Sequence, residues 1–191
     1  MFFKNIIKHF HFIRIKKQFG YLGNDCSIGS EVEFIGQENI YIGNSFKCGH
    51  HCSFQTWQQY KEFVSKKRPK LIIGNSCHFM SNCLVSCLDS ISIGDGCLFG
   101  DNVFVSDNYH GNNTYSQLSI RPDLRQLYSK GPVRIGDNCW IGRNVCIMPG
   151  VEIGCGVTVG ANSVVTHSFP DNCIIAGTPA RIIKNITTDS V

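Results

Sequence analysis

A chain of 191 residues can bury one real core and is short for two domains. Its net charge of +4 and 11% aromatic content fit a folded globular protein rather than a disordered one. So mild a positive balance gives no sign of nucleic-acid binding, and it suits a groove that takes an anionic substrate. Eleven cysteines would suggest disulfides in a small secreted protein. However, Lys4, Lys8, Arg14, Lys16 and Lys17 interrupt the N-terminal stretch where a signal sequence needs an unbroken apolar run. No C-x-x-C pair has zinc-finger spacing either. The cysteines are therefore expected as small buried residues in a reducing cytoplasm, in a chain without a segment of transmembrane length.

Residues 1–20 read as a short amphipathic helix, with Phe3, Ile6, Ile7, Phe10 and Ile13 on one side and Lys4, Lys8, His11 and Arg14 on the other. Such a helix caps an open end of the fold or lies on a membrane surface. The cap is favoured because a stack of repeats needs its first strands covered.

Residues 21–184 are expected to form one domain, and its governing signal is a six-residue repeat over about residues 22–170. It is strictest at Ile135, Ile141, Ile147, Ile153, Val159 and Val165, with small or apolar residues four positions further on at Cys139, Val145, Val151, Val157 and Ser163. Earlier in the chain the apolar positions fall into threes: Leu22, Ile28, Phe34; Ile42, Cys48, Phe54; Ile73, Phe79, Val85; Ile93, Phe99, Val105. Three hexads make one turn of a triangular coil, so the expectation is an all-β, parallel β-helix of about six coils. Gly23, Gly43, Gly74, Gly94, Gly136 and Gly154 follow the first apolar residue of each coil, and no glycine follows the third. A signal that tells three faces apart points to a three-sided prism. The pairs Gly74-Asn75, Gly94-Asp95 and Gly136-Asp137 are read as corners that need positive φ. Cys26, Cys77, Cys97 and Cys139 share one inward position and read as a ladder of small core residues rather than as ligands.

Two segments break the count, 55–72 and 107–134, and long ordered loops on a rigid scaffold tend to carry function. The first holds Trp57, Tyr60, Lys66, Lys67, Arg68 and Pro69. Residues 185–191 read as a C-terminal tail.

Several stretches carry more than periodicity: Asn102-Val103-Phe104-Val105-Ser106-Asp107-Asn108-Tyr109-His110-Gly111, Ser129-Lys130-Gly131-Pro132, Ile135-Gly136-Asp137-Asn138-Cys139-Trp140-Ile141-Gly142, Gly160-Ala161-Asn162-Ser163-Val164-Val165-Thr166 and Ala176-Gly177-Thr178-Pro179-Ala180-Arg181. Together they resemble the hexapeptide-repeat acyltransferases of the maltose/galactoside acetyltransferase type, and above all the O-acetyltransferases of bacterial surface polysaccharides. The resemblance implies a left-handed β-helix, where parallel-strand crossovers in general favour the right-handed sense. It also implies a homotrimer with active sites between subunits, acetyl-CoA as donor and a sugar or glycan as acceptor. No metal is expected.

In that resemblance His110 is the general base. A sugar hydroxyl is a poor nucleophile until its proton is removed, and imidazole is the side chain suited to take it. The hydroxyl would then attack the thioester directly, with no acylated protein residue. The backbone amide of Arg143 would stabilise the oxyanion, and Trp140 would wall the thioester channel. Ala161 and Thr166 would line the pantetheine arm, and Arg181 and Lys184 would meet the phosphates, a role their charge suits.

The acceptor side departs from the pattern. The galactoside enzymes' acceptor-binding Asn and Asp fall here on Met80 and Leu88, and their N-terminal acceptor motif has no match. In exchange Trp57 and Tyr60 could stack on a sugar, with the amides of Gln58 and Gln59 on its hydroxyls.

Three other readings stay open. They are N-acetylation of a nucleotide-linked amino sugar, a non-catalytic β-helix scaffold, and a zinc enzyme like the γ-class carbonic anhydrases. The last is disfavoured because His78 and His110 follow inward residues of different faces, Ile73 and Val105. The expected location is the cytoplasm, with the inner membrane face as a site of contact through the N-terminal helix.

Overall fold

The computed structural model describes residues 16–112 and 114–187. Of the segment read as a cap helix only 16–20 is described, and the rest lies outside the described residues. Within it Phe19 is buried against Phe34, with ring centroids 5.0 Å apart, so the first coil does not end on open core.

Short strands alternate with tight corners and wind into a three-sided prism. Its first face stacks Tyr21–Leu22, Ile40–Ile42, Lys70–Ile73, Ser90–Ile93, Val133–Ile135 and Glu152–Ile153 in parallel. The second stacks Ser27–Ile28, Lys47–Cys48, His78–Phe79, Leu98–Phe99, Trp140–Ile141 and Thr158–Val159. The third stacks Glu33–Ile35, Ser53–Thr56, Leu84–Cys87, Phe104–Ser106, Cys146–Ile147 and Val164–Val165. Every apolar residue of the six-residue repeat falls in register with its counterpart one coil away, as in Phe79↔Phe99 and Phe99↔Ile141. The six expected coils are present.

The core is aromatic toward the N-terminal end and aliphatic toward the other. Phe34, Phe54, Phe46, Phe79 and Phe99 form a continuous column, ending in a parallel stack of Phe79 on Phe99 with centroids 4.0 Å apart. From Ile141 upward the same position is held by Ile and Val.

The corners correct one sequence expectation. The glycine of each Gly-Asn or Gly-Asp pair does not carry positive φ; that falls two residues later, on Ser76 (φ 55), Gly96 (φ 68) and Asn138 (φ 55). The glycine is needed for close approach instead. A Cβ on Gly74 would lie 2.7 Å from the Gly94 carbonyl carbon, and one on Gly136 would lie 2.6 Å from Cys155 N. Contacts that short force the coils apart. The Asn or Asp that follows serves the neighbouring coil: Asn75 Oδ1 accepts from Asn44 N at 2.9 Å, and Asp137 Oδ1 from Asp95 N at 2.8 Å. These side chains satisfy corner N–H groups that the strands leave over.

The cysteine ladder is real and longer than expected. Cys77, Cys97 and Cys139 are buried and their thiols donate to the carbonyls of Gly94, Gly136 and Gly154, at 3.0, 3.1 and 3.0 Å. Cys26 at the open end is half-buried, and Cys173 extends the ladder at the other end. All are free thiols. Burial pushes the Cys48 thiol up to about 12. A thiol reagent should therefore titrate exposed Cys155 in the native protein, while the eight buried cysteines react only on unfolding. Fast native reaction of Cys77 or Cys97, mapped by mass spectrometry, would contradict the packing described.

The C-terminal end goes beyond the repeat. Phe169 bridges Ile153 in parallel, Cys173–Gly177 adds to the second face, and Ala180–Asn185 turns back on it antiparallel. Ser163, inward and fully buried, fastens this hairpin, with its hydroxyl accepting from Gly177 N at 3.0 Å. The hairpin covers the strand edge that a seventh coil would otherwise need.

Candidate active site

The two excursions run over 57–69 and 107–132, slightly shorter than expected because Thr56, Lys70 and Val133 still belong to strands. Each folds into its own antiparallel hairpin. Gln59–Tyr60 pairs with Phe63–Val64, and Asn108–His110 pairs with Leu127–Ser129, in the register His110↔Leu127.

The hairpins dock on each other. Tyr60 Oη donates to Asp123 O at 3.0 Å, Lys61 pairs with Asp123 at 3.2 Å, and the Tyr60 ring meets His110 edge-on with centroids 5.4 Å apart. Trp57 packs against Tyr60 at 6.0 Å and donates its indole N–H to Ser86 Oγ at 3.1 Å. The result is a cleft of about 250 Å³ on the outer side of the third face, floored by Leu84, Ser86 and Phe104 and walled by Trp57, Tyr60 and His110. The imidazole is exposed at its rim, as the sequence reading required.

Beneath the histidine lies a network that the motifs did not single out. Asp107 is 0% exposed, and its carboxylate accepts from the backbone N–H groups of Leu88, Asp89 and Ser90 at 2.7, 2.8 and 2.8 Å. Burial pushes this carboxyl above the usual carboxylate range, against those donors, which favour the charged form. Asn108 Nδ2 donates to Ser86 O at 2.9 Å and to Asp107 Oδ1 at 3.2 Å, so the strand that ends in His110 is tied to the coil below. One signal could have found it. Val103, Val105 and Asp107 alternate along one strand direction, so the carboxylate stands at an inward register, where a charge needs a reason.

Trp57 and Tyr60 thus stand beside His110, although their polar atoms are already engaged. Gln58 Nε2 donates to Ser65 O at 2.7 Å and Gln59 Nε2 to Lys61 O at 2.8 Å, so both amide donors brace the hairpin.

The remaining predicted residues lie elsewhere, and none of them lines the His110 cleft. Trp140 is 56% exposed on the second face. Register places it in the row Leu98, Trp140, Thr158, Ile174, with Lys184 beside Ile174 and Arg181 beside Ala176. Arg143 and Ala161 stack at the corner between the second and third faces, and Thr166 follows the last strand of the third. The Arg143 guanidinium bonds Asp101 at 3.0 Å and holds that carboxyl below the usual range. At this corner Ser30 N, His50 N and Ser81 N each donate to the side chain one coil further on: His50, Ser81 and Asp101. Above Arg143 that place is held by Ala161, which has no acceptor to offer, so the Arg143 N–H is left available. Arg181 Nη1 turns onto Ala180 O at 2.8 Å, and Thr166 Oγ1 lies 2.8 Å from His167 Nδ1.

Among the described residues no group of three or more His, Cys, Asp and Glu side chains could hold a metal ion, and no helix is long and apolar enough to cross a membrane.

Known proteins share both the repeat and the coil. A family profile described as the hexapeptide repeat of succinyl-transferase matches residues 132–167. The putative lipopolysaccharide biosynthesis O-acetyl transferase WbbJ of Escherichia coli K12 is 45% identical over 104 residues, covering 52% of this chain and 53% of that protein. The putative acetyltransferase YJL218W of Saccharomyces cerevisiae is 36% identical over 133 residues, covering 54% of this chain and 67% of that protein. The chain thus spans about half the length of the first relative and two thirds of the second. In fold it is similar to the hexapeptide-repeat acetyltransferase VCA0836 of Vibrio cholerae O1 biovar eltor, solved with acetyl coenzyme A, with a TM-score of 0.60 and 23% identity over 94% of this chain and 78% of that one. A six-residue period on three faces, carried by a chain this similar to such relatives, places the protein in the hexapeptide-repeat acyltransferase family, with its coil a left-handed β-helix.

Proposed function

We propose that the chain transfers an acetyl group from acetyl-CoA to a hydroxyl of a sugar, in the assembly of a surface polysaccharide or glycoconjugate, with His110 as general base. The observation that carries this reading is the His110 cleft. An exposed imidazole stands at the rim of a cleft with aromatic walls, on a strand anchored by Asp107 and Asn108. Aromatic walls suit the apolar face of a sugar ring, and the open imidazole nitrogen suits its hydroxyl proton. A hydroxyl acceptor is further supported by the O-acetyl transferase relative, at 45% identity.

The second face fits the donor. Its outward row runs from uncharged Leu98 and Trp140 to cationic Lys184 and Arg181, matching a long uncharged arm that ends in phosphates. Acetyl-CoA supplies the acetyl group as a thioester. The chain's residues do the rest: Trp140 walls the thioester, Ala161 and Thr166 line the pantetheine arm, Arg181 and Lys184 meet the phosphates, Arg143 N–H faces the developing negative oxygen, and His110 takes the hydroxyl proton.

Because the donor row and His110 occupy different surfaces of one prism, the site becomes complete when a neighbouring copy faces it. This supports a homotrimer with active sites between subunits. The cytoplasmic location and a membrane contact by the N-terminal segment belong to the same reading.

Calorimetry with coenzyme A tests it directly. Micromolar binding that weakens about tenfold in Arg181→Ala is expected, the size of one charge-assisted contact to phosphate. No binding to the full chain would favour a scaffold.

A further inference from the structure

Behind the His110 cleft lies a second chamber of about 330 Å³, between the two docked hairpins. Trp57, Tyr60 and Leu127 line both spaces, so they form the wall that the two share. The chamber's other lining combines exposed apolar side chains, Phe63 and Tyr128, with polar Ser65, Gln126 and Ser129, the carboxylate of Asp89 and two lysines. Lys67 is already paired with Asp89, at 3.4 Å. Among the described residues no carboxylate pairs with Lys66. With Lys67 neutralising Asp89, Lys66 is the cation left over in the chamber, and it is suited to an anion that arrives with the substrate.

We propose that this chamber receives a phosphate or diphosphate ester carried by the acceptor sugar, with Lys66 as its cation, so that the enzyme acts on a linked sugar rather than a free one. The inference rests on the acetyltransferase reading of the His110 cleft and extends it to the acceptor's class. The geometry sets the order of parts. The sugar lies in the cleft beside His110, its linkage passes Tyr60 and Leu127, and the anionic group reaches Lys66. The apolar walls then flank whatever the phosphate carries, either a nucleoside or a prenyl chain.

The test is calorimetric titration of inorganic pyrophosphate, uridine diphosphate and farnesyl diphosphate into the full chain saturated with coenzyme A, which keeps these probes out of the donor's phosphate site. At least one diphosphate should bind. Lys66→Glu should weaken it at least about tenfold, and Lys66→Arg should retain it within about threefold, as expected of a charge-assisted contact. Tighter binding of uridine diphosphate than of pyrophosphate would identify a nucleotide-linked acceptor, and tighter binding of farnesyl diphosphate a lipid-linked one. Failure of all three probes to bind, or equal binding by Lys66→Glu, would overturn the inference while the donor reading stands. Failure of coenzyme A itself to bind would instead sink the acetyltransferase reading, and the same titrations without it would still decide the chamber.

Discussion

His110→Ala is expected to lower kcat for acetyl transfer by about a thousandfold, the middle of the range for removal of a positioned general base. The change should appear in kcat with little in the KM for acetyl-CoA, because Trp140, Arg181 and Lys184, proposed to hold the donor, lie on another surface of the prism. Folding should be unaffected, since the imidazole is exposed and, among the described residues, its one ring contact is the Tyr60 edge at 5.4 Å. His110→Gln, which keeps a polar side chain but cannot take the proton, should be about equally slow. Activity in either variant within threefold of wild type would remove His110 from the reaction.

Asp107→Ala should be the most damaging change to the scaffold of the site, lowering stability by about 3 kcal/mol. It strips the partner from the N–H groups of Leu88, Asp89 and Ser90, and each orphaned donor costs roughly 1–3 kcal/mol when buried. Two effects hold the total below the sum of three. The donors are only half-buried, so water replaces part of the loss, and removing the carboxylate relieves the burial that pushes its own pKa up. For a chain of 191 residues this corresponds to a Tm lower by about 10 °C. Asp107→Asn should lose nearly as much. The Asp89 and Ser90 N–H groups both point at one carboxylate oxygen, and an amide placed to accept from Leu88 turns its own NH₂ toward them. A Tm for Asp107→Asn within 2 °C of wild type, by scanning calorimetry, would show that this turn does not depend on the charge. Because Asn108 and His110 continue the same strand, both variants should also lose activity at temperatures where they remain folded.

The prism was legible because its physics repeats. An apolar residue at every sixth position opens a new face, and every third one stacks on its counterpart one coil away, so Ile135 and Ile153, three hexads apart, announce both the face and the coil spacing. The glycines were legible as positions but not as causes. Close approach between coils and positive φ both select glycine, and only coordinates show that Gly94 serves the first need and Gly96 the second. The closing hairpin was hidden for the opposite reason. Phe169 and Ile175 keep a six-residue spacing between them but fall two residues short of the phase set by Val165, and Ala180–Asn185 then reverses direction, about which periodicity carries no information.

At the site, motif residues such as His110 could be named in advance, while the meeting of the two excursions could not. Tyr60 and Asp123 are far apart in sequence and share no pattern, and their contact is decided by where each hairpin leaves the prism. The separation of Trp140 and Arg181 from His110 likewise follows from which face each strand occupies. A list of motifs does not hold that fact.

The most direct test of the account is thiol release from acetyl-CoA by the purified full chain, offered a panel of free, nucleotide-linked and lipid-linked sugars, with wild type beside His110→Ala. The account predicts release that requires a sugar, falls by orders of magnitude in the variant, and yields an O-acetylated product by mass spectrometry. Release that ignores the sugar, or that survives in His110→Ala, would contradict it.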